Sequence, residues 1–341
     1  MKKIIIPVII ICLIMICGSA GAQRGQVEYF GKYEMAAPVS QMVMDESGEW
    51  ITLVSRDFYQ QERVESDMLV QTDGSSIPAR SSRGFNFDDK NYSSVSVSKN
   101  GKMAALSDDR KTIFVYDDPT NPDSAIHTIE PDFQILSCSV SANGESILVN
   151  SAEQIRTVIY NAADGVVKYD LTGFETAAPV YDSTLSADGN YLVWHSRGTF
   201  AVQNVSDGTF GKYISLWDFA SGYALAPDNE TLAVGMINDD YESGAILFFD
   251  PQSGKELGRV LTGNPAPYSL SYSNDGTVLW AVDTGNVYIV DPKAFSLLQA
   301  FNLCSGEDDD RISVAASSPD GLSAAVMKRN GELHLIHKPE K

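Results

Sequence analysis

The chain has 341 residues, of which 43% are hydrophobic and 21% are charged, so it has enough apolar side chains for a large core and lacks the composition of a disordered protein. Its 45 acidic and 25 basic residues give a formal net charge of −20 at pH 7. This excess of carboxylates argues against nucleic-acid binding, which needs clustered Lys and Arg, and against docking on anionic lipid.

The first 22 residues have the pattern of an export signal. Two lysines precede an apolar segment over residues 4–16, and small residues follow it. Ala20 and Ala22 fit a signal-peptidase site, so we predict a signal peptide over residues 1–22 and an extracellular or cell-envelope location. An uncleaved N-terminal anchor and a lipoprotein with Cys17 as the lipidated residue are the alternatives. The apolar segment is shorter than the roughly 20 residues that span a bilayer, and no second membrane segment follows.

Only two cysteines lie outside the leader, Cys138 and Cys304. One disulfide is arithmetically allowed, but the alternation of Cys138 with serines is typical of a strand. We therefore interpret it as a buried free thiol. The chain has no Cys-x-x-Cys pair and no Cys/His spacing suited to zinc.

A turn motif recurs through the chain at intervals of about 45 residues. Ser-x-Asp-Gly or Ser-x-Asn-Gly lies between two apolar segments in five places, and degraded copies occupy two more. Asn-Gly and Asp-Gly between apolar strands predict tight hairpins, which need a residue at positive φ. Asn is the next best residue at positive φ after glycine. The predicted turn positions are Gly48, Gly101, Gly144, Gly189, Asn229, Gly276 and Gly321.

Short apolar segments follow each turn, and no long helical periodicity occurs. Four short strands in a unit of about 45 residues are typical of a β-propeller blade. We therefore predict an all-β, seven-bladed propeller of four-stranded blades, forming a single domain over residues 23–341. Only two strands fit after Gly321, which leaves the last blade with three. The segment 26–30 is predicted to supply its fourth strand and close the ring.

On these turns and this period, residues 26–338 resemble the seven-bladed propellers of the WD-repeat-like and quinoprotein-like (YVTN-type) superfamily. The recurring Trp-Asp and Gly-His of true WD repeats are missing. The resemblance therefore implies a fold and not a set of functional residues.

No catalytic constellation is predicted, since the chain lacks a Gly-x-Ser-x-Gly elbow and a phosphate-binding loop. The remaining candidate for acid–base chemistry is His195, near Arg197 and the inner-strand Asp182. A propeller enzyme, either a hydrolase or a quinone-dependent dehydrogenase, would place such a group at the mouth of the channel. We retain that enzyme as the alternative to a non-catalytic binding module.

Two acidic segments are the predicted binding site. In a propeller, the connections between blades and the loops from second to third strand open on one face, so the two segments should share a rim. We predict that this rim binds a protein or small-molecule partner of unknown identity, and that the protein is an exported, non-catalytic monomer. No cofactor is predicted, although Ca²⁺ bound by hard oxygen ligands is one alternative, and a solvated surface that keeps the protein soluble is another. The predicted site residues are Asp239, Asp240, Glu242, Glu307, Asp308, Asp309 and Asp310.

Overall fold

The computed structural model describes residues 26–32, 39–55, 58–63, 67–70, 76–79, 82–86, 92–117, 125–173, 182–196, 198–216, 220–237, 244–263, 265–304 and 310–338. Seven antiparallel sheets of four strands form the blades of a β-propeller, which confirms the predicted fold class. The strands of each blade are given from the inner to the outer one. Blade 1 contains β2 Gln41–Met44, β3 Trp50–Val54, β4 Phe58–Arg63 and β7 Ser82–Asn86, and blade 2 contains β8 Tyr92–Val97, β9 Met103–Ser107, β10 Ile113–Tyr116 and β11 Ala125–Ile129. Blade 3 contains β12 Ile135–Val140, β13 Ser146–Ser151, β14 Arg156–Asn161 and β15 Val167–Thr172.

The other blades follow the same order. Blade 4 contains β16 Asp182–Leu185, β17 Tyr191–Ser196, β18 Thr199–Asn204 and β19 Ile214–Ser215. Blade 5 contains β20 Ala220–Leu225, β21 Leu232–Ile237, β22 Gly244–Phe249 and β23 Glu256–Thr262. Blade 6 contains β24 Ser269–Tyr272, β25 Leu279–Val282, β26 Asn286–Asp291 and β27 Ser296–Asn302. Blade 7 combines β28 Ile312–Ser317, β29 Ser323–Lys328 and β30 Glu332–His337 with β1 Gln26–Lys32 as its outer strand. The N-terminal strand therefore closes the ring, as predicted.

A small hairpin is inserted into blade 1 between its third and fourth strands. It consists of β5 Asp67–Val70 paired with β6 Ser76–Ala79. This hairpin lacks the repeated turn motif and was not predicted. Its presence accounts for the first interval between turn positions being longer than the others.

The side chains that recur in the repeated turn have a structural role. All seven predicted turn positions have positive φ, including Asn229 at 62°. In blade 6, the fully buried Ser273 donates its hydroxyl to Asp275 Oδ1 at 2.7 Å and accepts from Val278 N at 3.1 Å. Asp275 Oδ1 also accepts from Thr277 N at 3.0 Å, so one side-chain pair satisfies two backbone N–H groups of the turn. The same Ser-to-Asx hydrogen bond occurs at Ser98, Ser141, Ser186 and Ser318.

The core lies in the seams between blades, where apolar side chains of neighbouring sheets pack face to face. Between blades 6 and 7, for example, Trp280 and Val282 pack against Val326 and Ile336. Polar side chains on the inner strands bind backbone groups of the next blade: the Gln41 amide accepts from Val97 N at 2.8 Å and donates to Val97 O at 3.2 Å. These contacts satisfy strand edges that would otherwise be unpaired.

The seam between blades 5 and 6 requires glycine at one position of β21. A Cβ atom on Gly235 would lie 2.0 Å from Pro267 O, a backbone atom. We expect Gly235→Ala to lower the free energy of unfolding by about 3 kcal/mol, because the seam would have to separate. Urea denaturation measures this change. Gly285→Ala is the control, since its nearest contact would be Cys304 Cβ at 3.5 Å; equal destabilisation by both variants would contradict the prediction.

Candidate functional site

Of the seven predicted site residues, the structure describes Asp310, and the other six lie outside the described residues. Asp310 lies two residues before β28, in the connection that leads from blade 6 to blade 7. Its Oδ1 atom lies 2.6 Å from Lys328 Nζ, at the end of β29. The exposed fraction is 7% for the lysine side chain and 13% for the aspartate, so the pair is largely buried. Glu332 Oε2 is a second partner of the lysine, at 3.4 Å.

The two ends of the segment 305–309 are held close together. Cys304 Sγ lies 2.7 Å from Asp310 O and 3.3 Å from Thr284 O, either of which can accept its hydrogen. Leu303 N donates to Gly285 O at 2.9 Å, and Ile312 N donates to Thr284 O at 2.8 Å. Burial, followed by the charge of Asp310, raises the pKa of the Cys304 thiol, so it remains a protonated donor. The residues on either side of the acidic segment are therefore hydrogen-bonded to each other and to the neighbouring loop of blade 6, and we call these residues the base of the segment.

A buried carboxylate shapes the neighbouring loop of blade 6. Asp283 is fully buried and accepts hydrogen bonds from Gly285 N, Asn286 N and the Tyr288 hydroxyl, each at 2.7 Å. Tyr268 crosses the same seam and donates its hydroxyl to Ile312 O at 2.9 Å. Burial, followed by the charge of Asp283, raises the pKa of Tyr268 to about 12. Asp283 and Tyr268 therefore have hydrogen-bond partners within the protein, and these bonds stabilise the seam between blades 6 and 7.

The second acidic segment, 238–243, connects β21 to β22. Ile237 and Gly244 face each other as the last pair of those strands, and Gly244 N donates to Gly263 O at 3.0 Å. This bond joins a second-to-third-strand loop to the connection between two blades, as Ile312 N and Thr284 O do one blade further on. The bases of both acidic segments consequently lie on one face of the ring, which we call the loop face. The opposite face, which carries the repeated hairpins, is the turn face.

The turn face also carries carboxylates, which were not among the predicted site residues. An open groove of about 750 Å³ lies there, between blades 4 and 5. Several of these carboxylates hold turns: hydrogen bonds from Ser253 and from the backbone of Gln252 lower the pKa of Asp250. The side chains that line the groove include Tyr191, Asn204, Asp228, Glu230, Asp250 and Leu257.

The alternative catalytic group, His195, is enclosed by aromatic rings. Its imidazole stacks on Phe200 with a centroid distance of 4.5 Å and meets Tyr223 edge to face. Its Nε2 atom lies 3.3 Å from the amide nitrogen of Gly198. Burial lowers its pKa. The strand register pairs it with Asp182, while Arg197 lies outside the described residues.

Cys138 and Cys304 are free thiols, and burial raises the pKa of Cys138 to about 12. Among the residues that the structure describes, no group of three or more His, Cys, Asp or Glu side chains is placed to share a metal ion. Within the same part of the chain, no helix is long and apolar enough to cross a membrane. Neither a scan against protein-family models nor a search of curated proteins finds a match to this chain.

Proposed function

We propose that the protein is an exported binding module that docks a basic partner on its loop face, through the acidic segments 238–243 and 305–309. The observation that supports this most directly is the hydrogen bonding of the residues at the ends of the two segments. Each segment departs from a hydrogen-bonded junction between a loop and a blade connection, and both junctions lie on the same face. Segments held at both ends lose less freedom on binding than free ones do.

Binding is favoured over catalysis by the state of the titratable groups around that face. Lys328 is paired with Asp310, Asp283 accepts several hydrogen bonds, and the thiol of Cys304 points at backbone carbonyls. Catalytic groups need a substrate-accessible partner and a suitably shifted pKa. The ammonium, carboxylates and thiol named here instead bind partners inside the seam between blades 6 and 7.

Membership of the WD-repeat-like and quinoprotein-like (YVTN-type) propellers, export by residues 1–22 and a monomeric state belong to the same proposal. The seven four-stranded blades support the first of these. The acidic net charge supports a basic partner, because like charges repel across an interface. Ca²⁺ binding by these loops stays an alternative to this proposal.

The test compares equal losses of charge on the two faces. Glu307→Gln, Asp308→Asn and Asp309→Asn are combined in the loop variant, which leaves the Asp310 ion pair intact. The control variant combines Glu46→Gln, Glu49→Gln and Glu230→Gln, three exposed residues of the turn face. The probe is a fluorescent dodecalysine peptide, and binding is measured by anisotropy at two salt concentrations.

We expect the loop variant to bind the peptide about tenfold more weakly than the wild type, and the control variant to change binding less than about twofold. Equal weakening in both variants would mean that only net charge matters, and the loop-face proposal would then be wrong. Calorimetric melting of both variants verifies that each one folds.

A further inference from the structure

The closing strand β1 meets β30 at a histidine. The two strands pair from Gln26 opposite His337 to Lys32 opposite Glu332, and the register shifts between Tyr29 and Gly31. Tyr29, at that shift, pairs with His334. The two rings meet edge to face with centroids 5.6 Å apart. The ladder that closes the ring is therefore least regular beside this imidazole.

The imidazole of His334 has no hydrogen-bond partner for its buried Nε2 atom. The nearest carboxylate oxygen on its strand, Glu332 Oε2, is 3.6 Å away, which is too long for a hydrogen bond. That same oxygen lies 3.4 Å from Lys328 Nζ. The titratable and charged groups around His334 are Glu332 on β30, Lys328 on β29, Tyr29 on β1 and Asp310 in the connection from β27.

Protonation of this imidazole is unfavourable in the closed blade, because the added charge would have no hydrogen-bonded partner. The imidazolium would either stay without a partner beside the Lys328 ammonium, or attract Glu332 away from that lysine. Burial, followed by the charge of Lys328, lowers the pKa of His334 below its ordinary value of 6.5. An imidazole released from the closed blade then binds more protons than the buried one between about pH 6.5 and that lowered pKa, so closure loses stability as the pH falls through this window.

We infer that β1 is an acid-sensitive latch: protonation of His334 releases β1 from β30 and opens the ring at the last blade. The opening exposes the edge of β30, which is a template for pairing with another strand. This inference concerns the closure of the ring and does not rest on the proposed binding function.

Hydrogen exchange measured by mass spectrometry at pH 7.0 and pH 5.5, corrected for the intrinsic exchange rates, tests the latch. In the wild type we expect the protection of Gln26–Lys32 to fall about fivefold at pH 5.5, within the roughly eightfold limit that one imidazole with an open-state pKa of 6.5 can produce between these two pH values, while the outer strands β15 and β23 keep theirs. His334→Phe keeps a ring against Tyr29 and cannot be protonated, so its β1 should stay protected. His337→Gln is the matched control, because His337 is exposed and lies 4.0 Å from Glu28; its β1 should open as in the wild type.

Glu332→Gln provides a second variant in case His334→Phe fails to fold. It removes the carboxylate nearest to the imidazolium while Lys328 keeps Asp310, so β1 should open at a higher pH than in the wild type. Acid opening of β1 that persists in His334→Phe would overturn the inference. Equal loss of protection in all outer strands, or an unshifted opening in Glu332→Gln, would do the same.

Discussion

Replacing Trp194 with alanine is expected to lower the free energy of unfolding by about 4 kcal/mol. The indole is fully buried in the seam between blades 3 and 4, where it packs against Leu148 and Ile159. Its Nε1 donates to Gln203 Oε1 at 2.8 Å, and the amide of that glutamine donates to Gly208 O at 3.0 Å. Alanine would leave a large cavity and also a buried amide oxygen that has lost its donor.

Two further substitutions separate the packing from the hydrogen bond. Trp194→Phe keeps much of the ring volume and loses the donor, so we expect it to cost about 2 kcal/mol. Tyr213→Ala, on the same blade, removes an aromatic side chain from a residue that is 57% exposed, and should change stability by about 0.5 kcal/mol. Urea denaturation with an unchanged slope measures all three. Similar midpoints for Trp194→Ala and Tyr213→Ala would show that the seam does not depend on the indole.

The blades could be predicted from the sequence because the turn that defines them has a strict local requirement. A tight hairpin needs positive φ, which glycine adopts freely and Asn229 adopts at 62°, and the serine of the motif closes the turn through side-chain hydrogen bonds. The pattern is local, so no knowledge of the other blades is needed. Ring closure by β1 followed from counting strands, since the last unit has too few.

The candidate site was less predictable because its contacts depend on tertiary structure. The sequence places Asp310 in an acidic run, which indicates an exposed segment. Its actual partner, Lys328, comes from another strand, and the two meet only when β28 and β29 pair. Cys304 likewise gains its acceptor from the far end of the same connection. No local periodicity reports such pairings, and the inserted hairpin β5–β6 also lacks the repeated turn motif.

Asp310→Ala is expected to lower the free energy of unfolding by about 3 kcal/mol, because it leaves the buried ammonium of Lys328 with Glu332 at 3.4 Å as its remaining carboxylate. Removing both charges should be far less costly. Asp310→Leu combined with Lys328→Met replaces a desolvated pair by apolar side chains of similar size, so the double variant should recover most of the loss. The wild type, Asp310→Leu, Lys328→Met and the double variant form a double-mutant cycle, which gives the coupling energy directly.

The matched control is a pair of the same type whose carboxylate faces solvent. Lys102 and Asp117 also form an ion pair, in which the lysine side chain is 15% exposed and the aspartate side chain is 60% exposed. Asp117→Ala should therefore cost less than about 1 kcal/mol, since water replaces the lost carboxylate. If the urea midpoints fall equally for Asp310→Ala and Asp117→Ala, the buried ion pair of Asp310 and Lys328 does not stabilise the protein more than an exposed one, and the prediction is wrong. A double variant no more stable than Asp310→Ala would mean that the connection itself, and not the unpaired charge, carries the cost.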